Sequence, residues 1–232
     1  MKMNIINLIT NFVNLFYPKL CVVCGEPLLE TENYFCLECF LKLPKTNYHR
    51  SLENKASDRF AGKILLEKAC AYLYYNKGGI GQALIAEIKY RGNRDFGEWI
   101  GAFMAAELAD NRFFDGIDYL VPVPLHRSKE RKRGFNQAEK IACGIAQATG
   151  IPLNTDNVFR KKANTTQTKK GLYERWENTR NLFEINNPDV FAGKHILIVD
   201  DVLTTGSTLE AVAQSLLKSP GIRISILTLA IA

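Results

Sequence analysis

Residues 195–209, HILIVDDVLTTGSTL, constrain the fold more than any other stretch of this chain. The apolar run over 195–199 reads as a strand buried on both faces, as strands are in parallel sheets covered by helices. It delivers two adjacent acids, Asp200 and Asp201, to the edge of the sheet. A short loop of Thr204, Thr205, Gly206, Ser207 and Thr208 then opens a helix predicted over 208–218. That loop offers backbone N–H groups, hydroxyl donors, a glycine that allows close approach and the positive end of a helix dipole. Together these make a phosphate cradle. The acids cannot bind phosphate, but they can accept hydrogen bonds from vicinal sugar hydroxyls. A sugar phosphate satisfies both halves. A helix that needs only a cap uses one hydroxyl or acid, whereas six polar side chains fall here in nine positions. No Lys follows the glycine and no G-x-G-x-x-G occurs, so the stretch is neither a P-loop nor a dinucleotide fingerprint.

The rest of the chain supplies the sheet. Strands are predicted over 69–75, 119–123, 158–160 and 222–229, and helices over 80–89, 97–108 and 136–148. Ile80, Leu84, Ile85 and Ile88 share one helical face. Gly78-Gly79, Gly150-Ile151-Pro152 and Pro220-Gly221 punctuate the segments. Strands alternating with helices argue an α/β fold with a parallel sheet. Such sheets bind ligands beyond the carboxyl ends of their strands, the end at which Asp200 and Asp201 fall.

At 232 residues the chain has room for one or two domains. Hydrophobic residues at 47% and charged ones at 23% exclude disordered and fibrous classes. Thirty Lys+Arg against 24 Asp+Glu leave +6, which suits an anionic ligand but is too mild to imply nucleic acid alone. No apolar run approaches the ~18 residues of a membrane span. Residues 1–17 carry Ile5, Leu8, Ile9, Phe12, Leu15 and Phe16 at helical spacing, interrupted by Asn4, Asn7, Asn11 and Asn14. They read as an amphipathic helix rather than a signal peptide, expected to pack on the next module, with membrane-surface binding as the alternative. A cytoplasmic location follows, and the oligomeric state stays open.

Four of the six cysteines form C-x2-C-x11-C-x2-C: Cys21, Cys24, Cys36 and Cys39. Two residues between thiolates let a tight turn aim both sulfurs at one ion, and two such turns complete a tetrahedral shell suited to Zn2+. An all-cysteine shell leaves no position for a catalytic water. Its role is structural, supplying folding free energy to a segment too small for its own core. Two disulfides in a secreted domain would be the alternative, but no export signal supports it. Cys70 and Cys143 sit in apolar contexts and read as core thiols. The polar residues 46–64 read as a linker between a zinc-ribbon module over 18–45 and a larger domain over 65–232.

These segments together resemble a known family. Val199-Asp200-Asp201-Val202-Leu203-Thr204-Thr205-Gly206-Ser207-Thr208 is similar to the motif by which type I phosphoribosyltransferases bind 5-phosphoribosyl 1-pyrophosphate (PRPP). Lys89-Tyr90-Arg91-Gly92, then Val121-Pro122-Val123-Pro124-Leu125-His126 and Arg133-Gly134-Phe135-Asn136-Gln137-Ala138, resemble the signatures of the ComF (competence protein F) family, as does the four-cysteine ribbon ahead of them. The resemblance spans nearly the whole chain and implies a type I phosphoribosyltransferase-like sheet. It implies that Asp200 and Asp201 bind the ribose hydroxyls, directly or through Mg2+, and that Thr204 to Thr208 hold the 5′-phosphate. Leu125, His126 and Arg127 would form the pyrophosphate loop, although family members often carry Pro where Arg127 stands. Thr165, Gln167, Arg175 and Asn178 would belong to a mobile loop that closes over substrate. Cation clusters over 127–133 and 160–180 suit a pyrophosphate, or are solvated charged segments. Tyr72, Tyr74 and Tyr75 read as sheet residues, and His195 receives no role.

The resemblance implies a Mg2+-dependent transfer of phosphoribosyl to an unknown acceptor. Two other readings stay open: a protein that handles single-stranded DNA in uptake, with PRPP as ligand, and a PRPP sensor without turnover.

Overall fold

The computed structural model describes residues 18–161 and 182–232. The helix expected over 1–17 and the mobile-loop positions Thr165, Gln167, Arg175 and Asn178 lie outside the described residues.

Four parallel strands form the central sheet: β1 (Lys68–Tyr74), β2 (Tyr119–Pro122), β5 (His195–Leu203) and β6 (Arg223–Ile231), in the order β1-β6-β5-β2. A separate antiparallel ribbon pairs β3 (Val158–Arg160) with β4 (Phe183–Ile185). Seven described helices accompany them: α1 (Leu37–Leu41), α2 (Lys55–Asp58), α3 (Ile80–Tyr90), α4 (Arg94–Ala109), α5 (Arg127–Arg133), α6 (Gln137–Thr149) and α7 (Ser207–Leu216).

Burial explains the apolar strands. All of residues 195–199 are buried, and the sheet divides two cores by side-chain parity. Leu197, Val199, Leu227 and Leu229 face one core with Leu84, Ile88, Ile100 and Ile141 from α3, α4 and α6. Ile196, Ile198, Ile224 and Ile226 face the other, with Leu209, Val212 and Leu216 from α7. The period-two alternation thus serves two apolar faces at once. Helices α4 and α6 touch backbone to backbone: a Cβ at Gly144 would land on the Glu98 carbonyl oxygen, and one at Gly101 on that of Ile141.

Most predicted boundaries move by one to three residues, and two strands depart further. β5 continues past the acids to Leu203, because Asp200, Val202 and Leu203 still pair with Thr228, Ala230 and Ile231 of β6. β4 falls outside the predicted strands: Phe183-Glu184-Ile185 exists as a strand through its pairing with β3, which local pattern does not carry.

Residues 46–64 are neither featureless nor solvated throughout. Asn54 and Ser57 form a capping box at α2, and the Asn54 amide donates to the Ala69 carbonyl oxygen at 3.0 Å. Ala56 and Phe60 are buried in the core beside α7. On the other face of the sheet Tyr34 and Phe35, between the two cysteine pairs, pack on Trp99 of α4 with ring centroids 5.1 and 5.3 Å away. Lys45 and Tyr72 both hold Glu107, at 2.5 and 2.6 Å. His195 is buried at the start of β5 and shares a 2.8 Å hydrogen bond with Ser225 of β6, while its Nδ1 has no partner among the described residues.

Candidate functional site

Asp200 and Asp201 stand in β5 where the strand reaches the carboxyl edge of the sheet. The backbone N–H of Asp201 donates to Asp200 Oδ1 at 2.8 Å. Alternation sends the two side chains to different neighbours. Asp201 Oδ2 lies 2.8 Å from Lys89 Nζ at the end of α3, with the two side chains only 14% and 21% exposed. Burial, and then the charge of Asp201, push the Asp200 carboxyl up to about 8. The pair therefore has one ion-paired member and one that tends to hold a proton.

The loop after β5 turns through Gly206, whose φ of +82° favours glycine. Gly206 offers α7 no side-chain cap, and the Ser207 N–H makes only a long 3.4 Å bond to Thr205 Oγ1. Thr205 Oγ1 and Ser207 Oγ are hydrogen-bonded to each other at 2.9 Å. Thr204, Thr205, Ser207 and Thr208 are exposed around this helix start, so hydroxyls and the first-turn N–H groups are open to an anion.

After β2 the backbone N–H of Val123 donates to the Val199 carbonyl oxygen at 2.9 Å, which ties the next loop to β5. Asn136 closes that loop: its amide donates to the Val123 carbonyl oxygen at 3.0 Å, and its Oδ1 accepts from the Ala138 N–H at the start of α6. His126 caps α5, with the Ser128 N–H donating to Nδ1 at 3.2 Å. That bond requires an unprotonated Nδ1, so the ring proton of the neutral form sits on Nε2.

The Lys89-to-Arg94 segment docks onto the Arg133-to-Ala138 segment. The guanidinium of Arg133 lies 6.0 Å from the Tyr90 ring, and Arg94 donates to the Gly134 carbonyl oxygen at 2.7 Å. Lys89, Asp200, Asp201, Lys129, Arg133 and Thr208 then line one cavity of about 170 Å³, completed in part by Leu125, Asn136, Gln137 and Arg160. A neighbouring cavity of about 430 Å³ shares Pro124, Leu125, Asn136 and Arg160 and adds Arg127.

Of the residues singled out from sequence, Asp200, Asp201, Thr208 and Leu125 thus share a cavity, and Arg127 lines its neighbour. His126 is occupied in capping α5 and lines neither. Lys89, Lys129, Arg133, Asn136 and Gln137 were given no individual site role by sequence reasoning. Lys129 and Arg133 carry a usable signal, since they stand four apart on one helical face within a basic run.

Two hard carboxylates in the lining of one cavity suit a divalent cation such as Mg2+. The cysteines fit a softer one. The Sγ atoms of Cys21, Cys24, Cys36 and Cys39 all lie within 4.8 Å of one another, and those of Cys24 and Cys36 are 3.7 Å apart. A tetrahedral zinc with Zn–S near 2.3 Å separates its sulfurs by about 3.8 Å. Gly25, at φ +80°, closes the first knuckle by donating to the Cys21 carbonyl oxygen, and Glu32 accepts the N–H groups of Leu29 and Leu37 at the second. Among the described residues no helix is long and apolar enough to cross a membrane.

The chain is similar to several known proteins. Residues 102–231 match the model of the phosphoribosyl transferase domain. The DNA utilization protein YhgH of Escherichia coli is 30% identical over 139 residues, 59% of this chain and 60% of the relative. The chain thus matches about three-fifths of that relative's length. Competence protein ComFC of Bacillus subtilis is 28% identical over 201 residues, 86% of this chain and 72% of the relative. Among solved structures, the glutamine PRPP amidotransferase from B. subtilis is similar at a TM-score of 0.40 and 21% identity, over 56% of this chain and 25% of that one, a likeness that adds nothing to the assignment.

Proposed function

The chain belongs to the phosphoribosyl transferase domain family, and on that premise we propose that it binds PRPP and transfers the phosphoribosyl group to an acceptor, releasing pyrophosphate. One observation carries this reading: Asp200, Asp201 and Thr208 share a cavity with the cations Lys89, Lys129 and Arg133. Carboxylates that accept from a diol, a helix start open to phosphate and a cluster of cations are the three recognitions that a pyrophosphorylated pentose phosphate demands.

In this account Asp200 and Asp201 orient the ribose through its hydroxyls. Thr204, Thr205, Ser207 and Thr208 hold the 5′-phosphate with the N–H groups of the α7 start. Leu125 and Arg127 of the loop, with Lys129 and Arg133 of α5, receive the pyrophosphate, and His126 caps the helix that carries those cations. Mg2+, when bound, supplies charge neutralisation to the leaving group. The acceptor's nucleophilic atom bonds to the anomeric carbon as the bond to the pyrophosphate oxygen breaks, and the acceptor's proton passes to solvent. The chain contributes positioning and electrostatics rather than a covalent nucleophile. The cysteine cluster holds zinc as a structural ion.

The test is pyrophosphate release from PRPP in the presence of Mg2+ and a panel of acceptors, with Asp201→Asn as control. Release by the wild type that the variant lacks supports transfer. PRPP binding with no release for any acceptor supports a sensor instead.

A second reading has its own support. Arg127, Lys129, Arg131 and Lys132 are exposed along α5, and Arg133 of the same helix lies against the ring of Tyr90, a residue 78% exposed. Cations around an open aromatic suit a single-stranded nucleic acid. Retention of single-stranded DNA that falls steeply with salt and with Tyr90→Ala supports it, and salt-insensitive retention contradicts it.

A further inference from the structure

Asp201 is not a free carboxylate. Lys89 Nζ sits 2.8 Å from its Oδ2, and both side chains are mostly buried. On the same helix Glu87, buried, accepts from Arg91 and Asn93 at 3.1 Å each, and Asn93 caps α4, which ties the end of α3 to the next helix. The ion pair itself places the Lys89 ammonium. An ammonium carries three N–H donors, and the ion pair uses one. Two remain for a ligand in the cavity that Lys89 shares with Asp200 and Asp201.

Three more cations line that cavity. Lys129 and Arg133 stand one helical turn apart on α5, and Arg160 ends β3. Arg133 is fixed by the Gln137 amide oxygen at 2.7 Å. Four cations thus face two carboxylates, so the cavity carries positive charge from the chain alone. A polyanion placed against a pair of acids ordinarily needs a bridging cation to offset their repulsion. Here a side chain already stands in that position.

We propose that PRPP binds this protein without a divalent cation, with Lys89 as the positioning cation that lets the polyanion approach Asp200 and Asp201. Mg2+ is then required for departure of pyrophosphate and not for binding. The inference rests on the reading of the cavity as a PRPP site, and it extends that reading to how the ligand's charge is met.

Calorimetric titration of the full chain with PRPP tests it, in buffer with Mg2+ and in buffer freed of Mg2+ by resin, with zinc content verified in both. The wild type is expected to bind with Kd values within about threefold of each other in the two buffers. Lys89→Met is expected to bind with Mg2+ present but to weaken by about tenfold or more without it, and Lys89→Arg to recover metal-free binding. A wild type that binds only with Mg2+, or a Lys89→Met variant whose metal-free affinity is unchanged, overturns the proposal. A wild type that binds in neither buffer removes the PRPP reading itself, a result distinguishable from the other two.

Discussion

Gly206 of the phosphate loop lies against the ring of Phe60: a Cβ on the glycine would stand 3.1 Å from Phe60 Cε1 and 3.3 Å from Cζ. A residue from the segment ahead of β1 is therefore the floor under a loop nearly 150 positions later in sequence. Both partners restrict what the loop can be. The backbone at φ +82° disfavours any L side chain, and the ring would have to give by a few tenths of an ångström to admit a methyl group.

Gly206→Ala is expected to destabilise the fold by about 1–2 kcal/mol through the left-handed backbone, and to weaken PRPP binding as the loop is displaced. Urea unfolding reads the first effect and calorimetry the second. Phe60→Ala frees the space, so the double variant should recover affinity relative to Gly206→Ala. Additive losses would show that the ring does not support the loop.

Zinc removal is expected to act at a distance from the metal. Tyr34 and Phe35 follow the first cysteine pair and pack on Trp99, which stacks on Phe103 with centroids 5.1 Å apart. Metal analysis should give one zinc per chain. Chelation should lower the melting temperature and change tryptophan emission. Cys24→Ser should do the same without a chelator. A metal-free protein with unchanged melting would contradict a structural ion.

The part of the stability that comes from His195 should fall as the pH drops through the ordinary histidine range near 6.5. Burial holds His195 below that value, followed in effect by the charge of Arg223. The unfolded chain then binds a proton that the folded chain refuses, so the contribution is complete above the unfolded pKa and is lost as the pH falls through it. Asp200, pushed up to about 8, acts with the opposite sign over the same range, so the difference between the wild type and His195→Gln in denaturation curves from pH 5 to 8 isolates the His195 slope. An unchanged slope in the variant would exclude His195 as its source.

Much of the architecture could be read from sequence, because hydrophobic period reports burial directly. The apolar run over 195–199 specified a doubly covered strand, and the acids and hydroxyl loop after it specified the end of the sheet to search. Side-chain partnerships brought together by folding left no such trace. Lys89 meets Asp201 across more than a hundred residues, and the Lys89-to-Gly92 signature marks the lysine without naming its partner. Phe60 lies in a stretch of polar composition, so its burial under Gly206 gave no periodic signal. His195 and Ser225 face each other only because β5 and β6 are neighbours, which depends on strand order and not on either strand's pattern.

The most direct measurement is the affinity for PRPP of the wild type against Asp200→Asn/Asp201→Asn, which preserves shape and removes both carboxylates. The account predicts binding by the wild type and a loss of about a hundredfold or more in the variant, close to 3 kcal/mol, with the melting temperature retained. Equal affinity in the two proteins would contradict it.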